Sequence, residues 1–380
     1  MDFEFTPAHK AFRARVRRVI EDNLPSDWPV VSSAYDNGSD GTVAFAKTFC
    51  PILAEEGLLV PHWPVEYGGQ GLDAYYHWIL NEEMWAAGEP RAYQYMNVNW
   101  VGPALIKFGT EDQKREHLAK IKAGAVTYCQ GFSEPGAGSD LASLKTRAEK
   151  TAGGYLVNGQ KIWTSAASFA DYCFLLVRTS GERRQGITVL IVPLDTPGVT
   201  VRIIPGLQGK RAIHEVFFDD VLIPESARLG PEDEGWGVTM QILANERIGI
   251  PRYALSWRGF NQAVTILREQ GRLTEAVIAR SARCEAGLRA ARLMALSVID
   301  DRVKGRPTGP KTSVARYAAI TAERTVCDFL ADCAPDLIFP EEHPVIAAAY
   351  KRAASIGIAA GAAEIQLNLI SRDLLQMPKS

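Results

Sequence analysis

Tyr128-Cys129-Gln130-Gly131-Phe132-Ser133-Glu134-Pro135-Gly136-Ala137-Gly138-Ser139-Asp140 is the stretch on which the reading of this 380-residue chain turns. A strand-like run ends in a turn where Pro135, Gly136 and Gly138 exclude helix and leave backbone N–H groups free to face a ligand, an arrangement that could cradle an anion. On these residues alone a tight surface turn is the favoured reading, because glycine-rich turns are common. The dinucleotide-binding fingerprint of a βαβ unit is rejected, since it needs a third glycine and a helix opening at once where Leu141 stands.

Upstream of this stretch the pattern is helical, from Phe5 to about Ile121. Phe12, Val16 and Ile20 recur at four-residue spacing after Thr6, a cap residue, and Pro25 and Pro29 close that helix. A second helix is predicted from Thr42 to Glu56, a Pro/Gly-rich loop from Pro61 to Gly71, and a further helix from Tyr75 to Ala87. His62 reads as a loop histidine, because no carboxylate or nucleophile shares its motif. From about Ala123 to about Leu229 the composition is β-rich. Asn158-Gly159, flanked by Tyr155-Leu156-Val157 and Lys161-Ile162-Trp163, predicts a two-residue hairpin. Tyr172 to Val177, Ile187 to Pro193, Val199 to Ile204 and Glu215 to Phe218 read as further strands. After Glu232 to Gly237 the chain is helical again, with breaks at Gly305 to Pro310 and Pro335 to Pro344. The expected class is α+β multi-domain: a helical domain over 1–122, a middle β-domain over 123–232 and a helical domain over 233–380.

The totals set outer limits. A chain of 380 residues exceeds the usual single core. A formal net charge of -2 gives no reason to expect nucleic acid or an anionic membrane as partner, and no apolar run reaches spanning length. The N-terminus lacks the basic-then-apolar order of a secretory signal, and the cysteines at 50, 129, 173, 284, 327 and 333 form no Cys-x-x-Cys pair. A reduced, cytoplasmic protein without a structural metal is the corresponding expectation.

Phe132-Ser133-Glu134-Pro135-Gly136-Ala137-Gly138-Ser139-Asp140 closely resembles the flavin and acyl-CoA binding signature of the acyl-CoA dehydrogenase family. Glu66-Tyr67-Gly68-Gly69-Gln70-Gly71, Gly109-Thr110-Glu111-Asp112-Gln113-Lys114, Gly159-Gln160-Lys161-Ile162-Trp163-Thr164-Ser165, the run Glu215 to Pro224 and Gly361-Ala362-Ala363-Glu364-Ile365-Gln366 agree in the family's order. The resemblance implies an N-terminal helical domain, a middle β-barrel and a C-terminal four-helix bundle. It also implies oxidation of an acyl-CoA thioester to its 2-enoyl-CoA with FAD as cofactor, and electron-transfer flavoprotein as the acceptor partner. An oxygen-using oxidase or monooxygenase on the same fold, and a non-catalytic partner subunit, are the alternative functions.

By the same resemblance, Gln130, Phe132 and Ser133 lie along the flavin ring, Ser139 reaches the pyrophosphate or pantetheine, and Trp163 and Ser165 close over the ring. On its own, Trp163 reads more readily as a core aromatic of a hairpin, and the signature beside it tips the reading to the flavin. Most members place the catalytic glutamate where Ala360 stands, and alanine takes no proton. A subset carries its carboxylate early in the C-terminal domain beside an arginine, which implies Glu246, in Asn245-Glu246-Arg247, as base. Pro251 predicts a helix kink beside it. The backbone N–H of Ala360 remains an expected donor to the thioester carbonyl.

The elements that a family subunit lends to its neighbour's flavin are eroded here. Leu-Thr-Glu follows Arg272 in place of Phe-Gly, and Ala334-Pro335-Asp336-Leu337 replaces a glycine turn; an aspartate is poorly matched to a diphosphate. The expectation is a heterotetramer with a homologous subunit and fewer flavins than subunits, with a homo-oligomer as the alternative. Heteromeric members of the family act on bulky, steroid-derived acyl-CoAs, so a bulky or branched substrate is the matching expectation.

Overall fold

The computed structural model of the chain describes residues 4–28, 39–249, 251–339, 342–359 and 361–378, with side chains throughout except at 210 and 244–249. Helix α1 (Pro7–Asn23) starts where Thr6 Oγ1 accepts the His9 N–H, has proline at its first position, and buries Phe12, Val16, Val19 and Ile20 on one face. Helix α2 (Asp40–Glu55) is capped by Ser39 and α3 (Ala74–Ala86) by Asp73. The helical run 94–108 (α4) is π-wound over Asn97–Val101, and 111–122 (α5) opens on a capping box between Thr110 and Gln113.

Eight strands follow: β1 (Tyr128–Gly131), β2 (Arg147–Thr151), β3 (Gly154–Ser165), β4 (Tyr172–Arg178), β5 (Ile187–Pro193), β6 (Val199–Gly206), β7 (Gly209–Pro224) and β8 (Arg228–Leu229). They form one sheet in the order β6-β7-β3-β2-β4-β5-β8, with β1 parallel to β4. The expected barrel is corrected by this order, because the end strands β6 and β8 do not pair with each other. The physical reason lies in those ends: β8 is two residues long, and β6 is a largely exposed edge. Only Arg147 and Arg178 join β2 to β4, so the sheet is nearly divided there.

The expected hairpin at Asn158-Gly159 is also corrected. β3 runs through both residues, and the tight turn lies instead at Ala152-Gly153, between the paired Thr151 and Gly154. Asn158 is held by Asp220 on β7, through Nδ2 to Oδ1 at 3.0 Å and from the Asp220 N–H at 3.0 Å. Gly159 is required by a close approach, since a Cβ there would lie 2.6 Å from Thr146 Oγ1.

The remaining helices are α6 (Gly235–Gly249), α7 (Tyr253–Glu269), α8 (Glu275–Val303), α9 (Lys311–Cys333), α10 (Pro344–Ala353) and α11 (Ala363–Asp373). Pro251 stands between α6 and α7, so the expected kink is the end of one helix and the start of the next. Two compact units result. One combines Met1–Tyr35, Gly71–Pro90 and Glu246–Ser380, and the other combines Asp36–Gln70 and Arg91–Asn245. In the first, α8 packs on α9, and α10 packs on α7 and α9. Its buried Glu82 accepts from Arg13 at 2.8 Å and from Arg292 at 2.5 and 3.0 Å, which ties α3 to α1 and α8. In the second unit, Asn97 Oδ1 accepts the Tyr128 N–H at 3.0 Å and Asn97 Nδ2 donates to Val126 O at 2.6 Å, so α4 fixes the start of β1.

Candidate active site

The glycine-rich turn is braced from beneath by a buried ion pair. Lys161 on β3 is fully buried, and its Nζ lies 2.8 Å from Glu134 Oε1 and 3.1 Å from the Phe132 carbonyl. Glu134 also accepts the backbone N–H groups of Lys145 at 2.6 Å and Thr146 at 2.8 Å. Burial works to raise the Glu134 pKa, but the Lys161 charge and these hydrogen bonds outweigh it and hold the carboxyl below the usual glutamate range. The turn closes on itself through Glu134 N–H to Ala137 O at 2.9 Å and the reciprocal bond at 3.0 Å.

Above this brace the turn is open. The amides of Gly136, Gly138 and Ser139 donate to no acceptor among the described residues. A Cβ built at Gly136 or Gly138 would meet nothing within 4 Å, and neither glycine has positive φ. Neither conformation nor a neighbour explains these glycines; the space in front of them is free for a ligand to approach the backbone. Ser139 is exposed, and Phe132 is buried beside Phe174 at 6.1 Å between ring centroids. Gln130 on β1 leaves Nε2 buried without a hydrogen-bond partner among the described residues. Such a donor costs about 1–3 kcal/mol unless something accepts from it.

Trp163 stands apart from the other indoles. It is 58% exposed and adopts a left-handed φ of 60°, whereas Trp28, Trp63, Trp78, Trp85 and Trp100 are buried. The reading of Trp163 as a core aromatic is therefore overturned. The cause is a bulge: Lys161 pairs with Val216 and Thr164 with His214, which leaves Ile162 and Trp163 opposite the single residue Glu215. The Ile162 N–H turns away from β7 to the Ser133 carbonyl at 2.9 Å, joining the bulge to the signature turn. A non-glycine residue held at such a φ stores roughly 1–3 kcal/mol, a cost that clusters at functional sites. Ser165, half-buried, follows at the Ile213 register. Gln130, Phe132, Ser133, Ser139, Trp163 and Ser165 thus all lie in one unit, on β1, its turn and β3.

An open surface depression of about 560 Å³ in the same unit is lined by the β4–β5 loop and the start of α6, including Arg184, Gln185, Asp233 and Trp236. Arg184 lies over the Trp236 ring at 5.4 Å. The loop is tied to the signature turn, since Arg183 meets Asp140 at 3.3 Å and Arg178 donates to Ala142 O at 2.9 Å and to Gln185 O at 2.6 Å. No sequence motif announced this depression. Arg184 and Trp236 stand 52 residues apart and meet only in the fold. Arg272, in the other unit, makes a two-point ion pair with Asp336. The backbone of Glu246 belongs to α6, but its side chain lies outside the described residues, as does Ala360.

Residues 6–125, 129–221 and 233–375 match, in turn, the N-terminal, middle and C-terminal domains described as acyl-CoA dehydrogenase. Acyl-CoA dehydrogenase IpdE1 of Mycobacterium tuberculosis (strain ATCC 25618 / H37Rv) is 33% identical over 378 residues, covering 97% of each chain. The solved Tcur3481-Tcur3483 steroid ACAD superposes with a TM-score of 0.90 at 30% identity, covering 100% of each chain. The ChsE4-ChsE5 complex from Mycobacterium tuberculosis gives 0.87 at 26% identity, again over 100% of each chain. The chain belongs to the acyl-CoA dehydrogenase family, whose members are FAD-dependent oxidoreductases. Its helical N-terminal domain, sheet-built middle domain and helical C-terminal domain are those of the family.

Proposed function

We propose that the chain is the flavin-holding, catalytic subunit of a heteromeric acyl-CoA dehydrogenase that converts an acyl-CoA to its 2-enoyl-CoA and passes the electrons to electron-transfer flavoprotein. The observation that carries this reading is that the amides of Gly136, Gly138 and Ser139 stay free among the described residues, while the bulge that exposes the strained Trp163 is hydrogen-bonded to the same turn through Ile162 and Ser133. FAD fits this arrangement: Gln130 Nε2 has no acceptor among the described residues, Trp163 offers an exposed aromatic surface, and Ser133, Ser139 and Ser165 offer hydroxyls beside the buried Phe132. FAD, when bound, accepts the hydride from the acyl β-carbon.

The chain's own residues carry the proton chemistry in this reading. Glu246 takes the α-proton, because the position most members use is Ala360. The Ala360 backbone N–H donates to the thioester carbonyl as negative charge develops there. The nucleotide end of CoA suits the depression at Arg184 and Trp236, where a guanidinium meets phosphate and an indole meets a base. A bulky substrate is supported by the relative described as a steroid ACAD. Assembly with a second, related chain is supported by the relative described as a complex of ChsE4 and ChsE5, and by the internal neutralisation of Arg272.

The test is Glu246→Gln in the assembled enzyme. The expected result is desaturation lowered by about 10²–10⁴ with flavin still bound. Unchanged turnover would remove Glu246 from the chemistry, and turnover supported by oxygen without a carrier protein would favour an oxidase.

A further inference from the structure

We propose that His214 is the positioning residue for Trp163: its ring N–H clamps the Thr164 carbonyl and so holds the bulge that presents the indole to the flavin. The proposal rests on the flavin face described above, although its geometry is independent of any ligand. His214 and Thr164 are directly opposed on β7 and β3, and Thr164 is the first paired residue after the bulge. His214 Nδ1 lies 3.0 Å from the Thr164 carbonyl, and both residues are buried. A carbonyl only accepts, so Nδ1 carries the proton.

The other ring nitrogen fits that tautomer. Among the described residues His214 Nε2 is buried without a partner, which a bare lone pair tolerates better than an N–H would. Burial pushes the imidazole pKa down, and the nearby Arg211 adds to this against the Thr164 hydrogen bond, so the ring stays neutral. Phe169 packs its ring edge-on to the imidazole at 6.5 Å and fixes the plane. On the near side of the bulge, Lys161 is anchored to Phe132 and Glu134. The left-handed Trp163 is thus held between two buried clamps, and His214 is the one that touches nothing of the signature turn.

Two measurements on the full chain test this. Nitrogen-15 histidine NMR should find His214 protonated at Nδ1 and bare at Nε2; the opposite tautomer would overturn the proposal, because Nδ1 would have no proton to donate. Acrylamide quenching of Trp163, read as wild type minus Trp163→Phe in the flavin-free protein, should be preserved in His214→Asn. Asparagine places an amide N–H where Nδ1 stood. His214→Gln places it one atom too far, and quenching should change at least about twofold while FAD binding by the assembly with its partner subunit weakens on the order of tenfold. Equal behaviour of the two variants would overturn the proposal. A wild-type chain with the expected tautomer and quenching that takes up no FAD, alone or with a partner, would instead count against the flavin reading.

Discussion

Arg272 and Asp336 neutralise each other: Nη1 and Nη2 of the arginine lie 2.6 and 2.8 Å from the two carboxylate oxygens of the aspartate, 64 residues further along the chain. In the proposed assembly this carboxylate stands where the family resemblance implies a neighbour's flavin diphosphate as the acceptor of the arginine. Both side chains are substantially exposed, so the pair contributes at most about 1 kcal/mol. Asp336→Ala should leave the thermal midpoint nearly unchanged. A loss of several degrees would make the pair a structural necessity and weaken its reading as a closed phosphate site.

Lys161→Met should cost roughly 3–5 kcal/mol in urea unfolding, because it strands the Glu134 carboxylate in a buried position. The double variant Glu134→Gln, Lys161→Met should recover part of that loss. If the single variant costs under about 1 kcal/mol, the brace beneath the signature turn is not needed for folding.

The same pair sets an acid limit. The Glu134 pKa is lowered in the folded chain, so the folded state binds its proton more weakly than the unfolded chain does. Its contribution is fully present above the ordinary glutamate value of about 4.3 and is lost as pH falls through the lower folded value. Unfolding free energy of wild type minus Glu134→Gln should therefore be flat from neutral pH down to about 4.3 and shrink as pH falls from there through the lower folded value. A difference that vanishes already near neutrality would contradict this.

Trp163→Gly and Trp163→Ala separate strain from function. Glycine adopts the left-handed conformation freely, so the glycine variant should be more stable than the alanine variant by about 1 kcal/mol. Both should lose flavin affinity, on the order of tenfold, since aromatic packing contributes about 1 kcal/mol or more. Flavin titration of the mixed assembly, beside thermal melts, reads both effects, and unaltered affinity would detach Trp163 from the cofactor.

Gly159→Ala should destabilise by roughly 1–3 kcal/mol, because its Cβ would enter the van der Waals space of Thr146 Oγ1 and Cα. Urea unfolding again decides it, and a neutral variant would mean that β2 and β3 give way without cost.

The parts of the structure legible in the sequence are those set by neighbours in the chain. Thr6 and Pro7 announce α1, and Ile187 to Pro193 is a strand with the bounds its apolar run predicts. The signature turn is readable because Pro135, Gly136 and Gly138 act through their own backbones. Asn158-Gly159 misleads because its reasons lie far away, with Asn158 answering Asp220 and Gly159 answering Thr146. The exposure of Trp163 depends on a register slip against β7, and His214 carries no motif at all. Arg272 and Asp336 look like two separate losses in sequence, and only the fold makes them one interaction.

The most direct test of the central claim, that this chain holds a flavin face but lends nothing to a neighbour's, is flavin stoichiometry. The chain would be purified alone and then co-expressed with a related acyl-CoA dehydrogenase subunit, with the visible spectrum and mass recorded each time. The account predicts a lone chain with little or no flavin and a mixed assembly carrying one FAD for every two chains. A lone homo-oligomer with one FAD per subunit would contradict it.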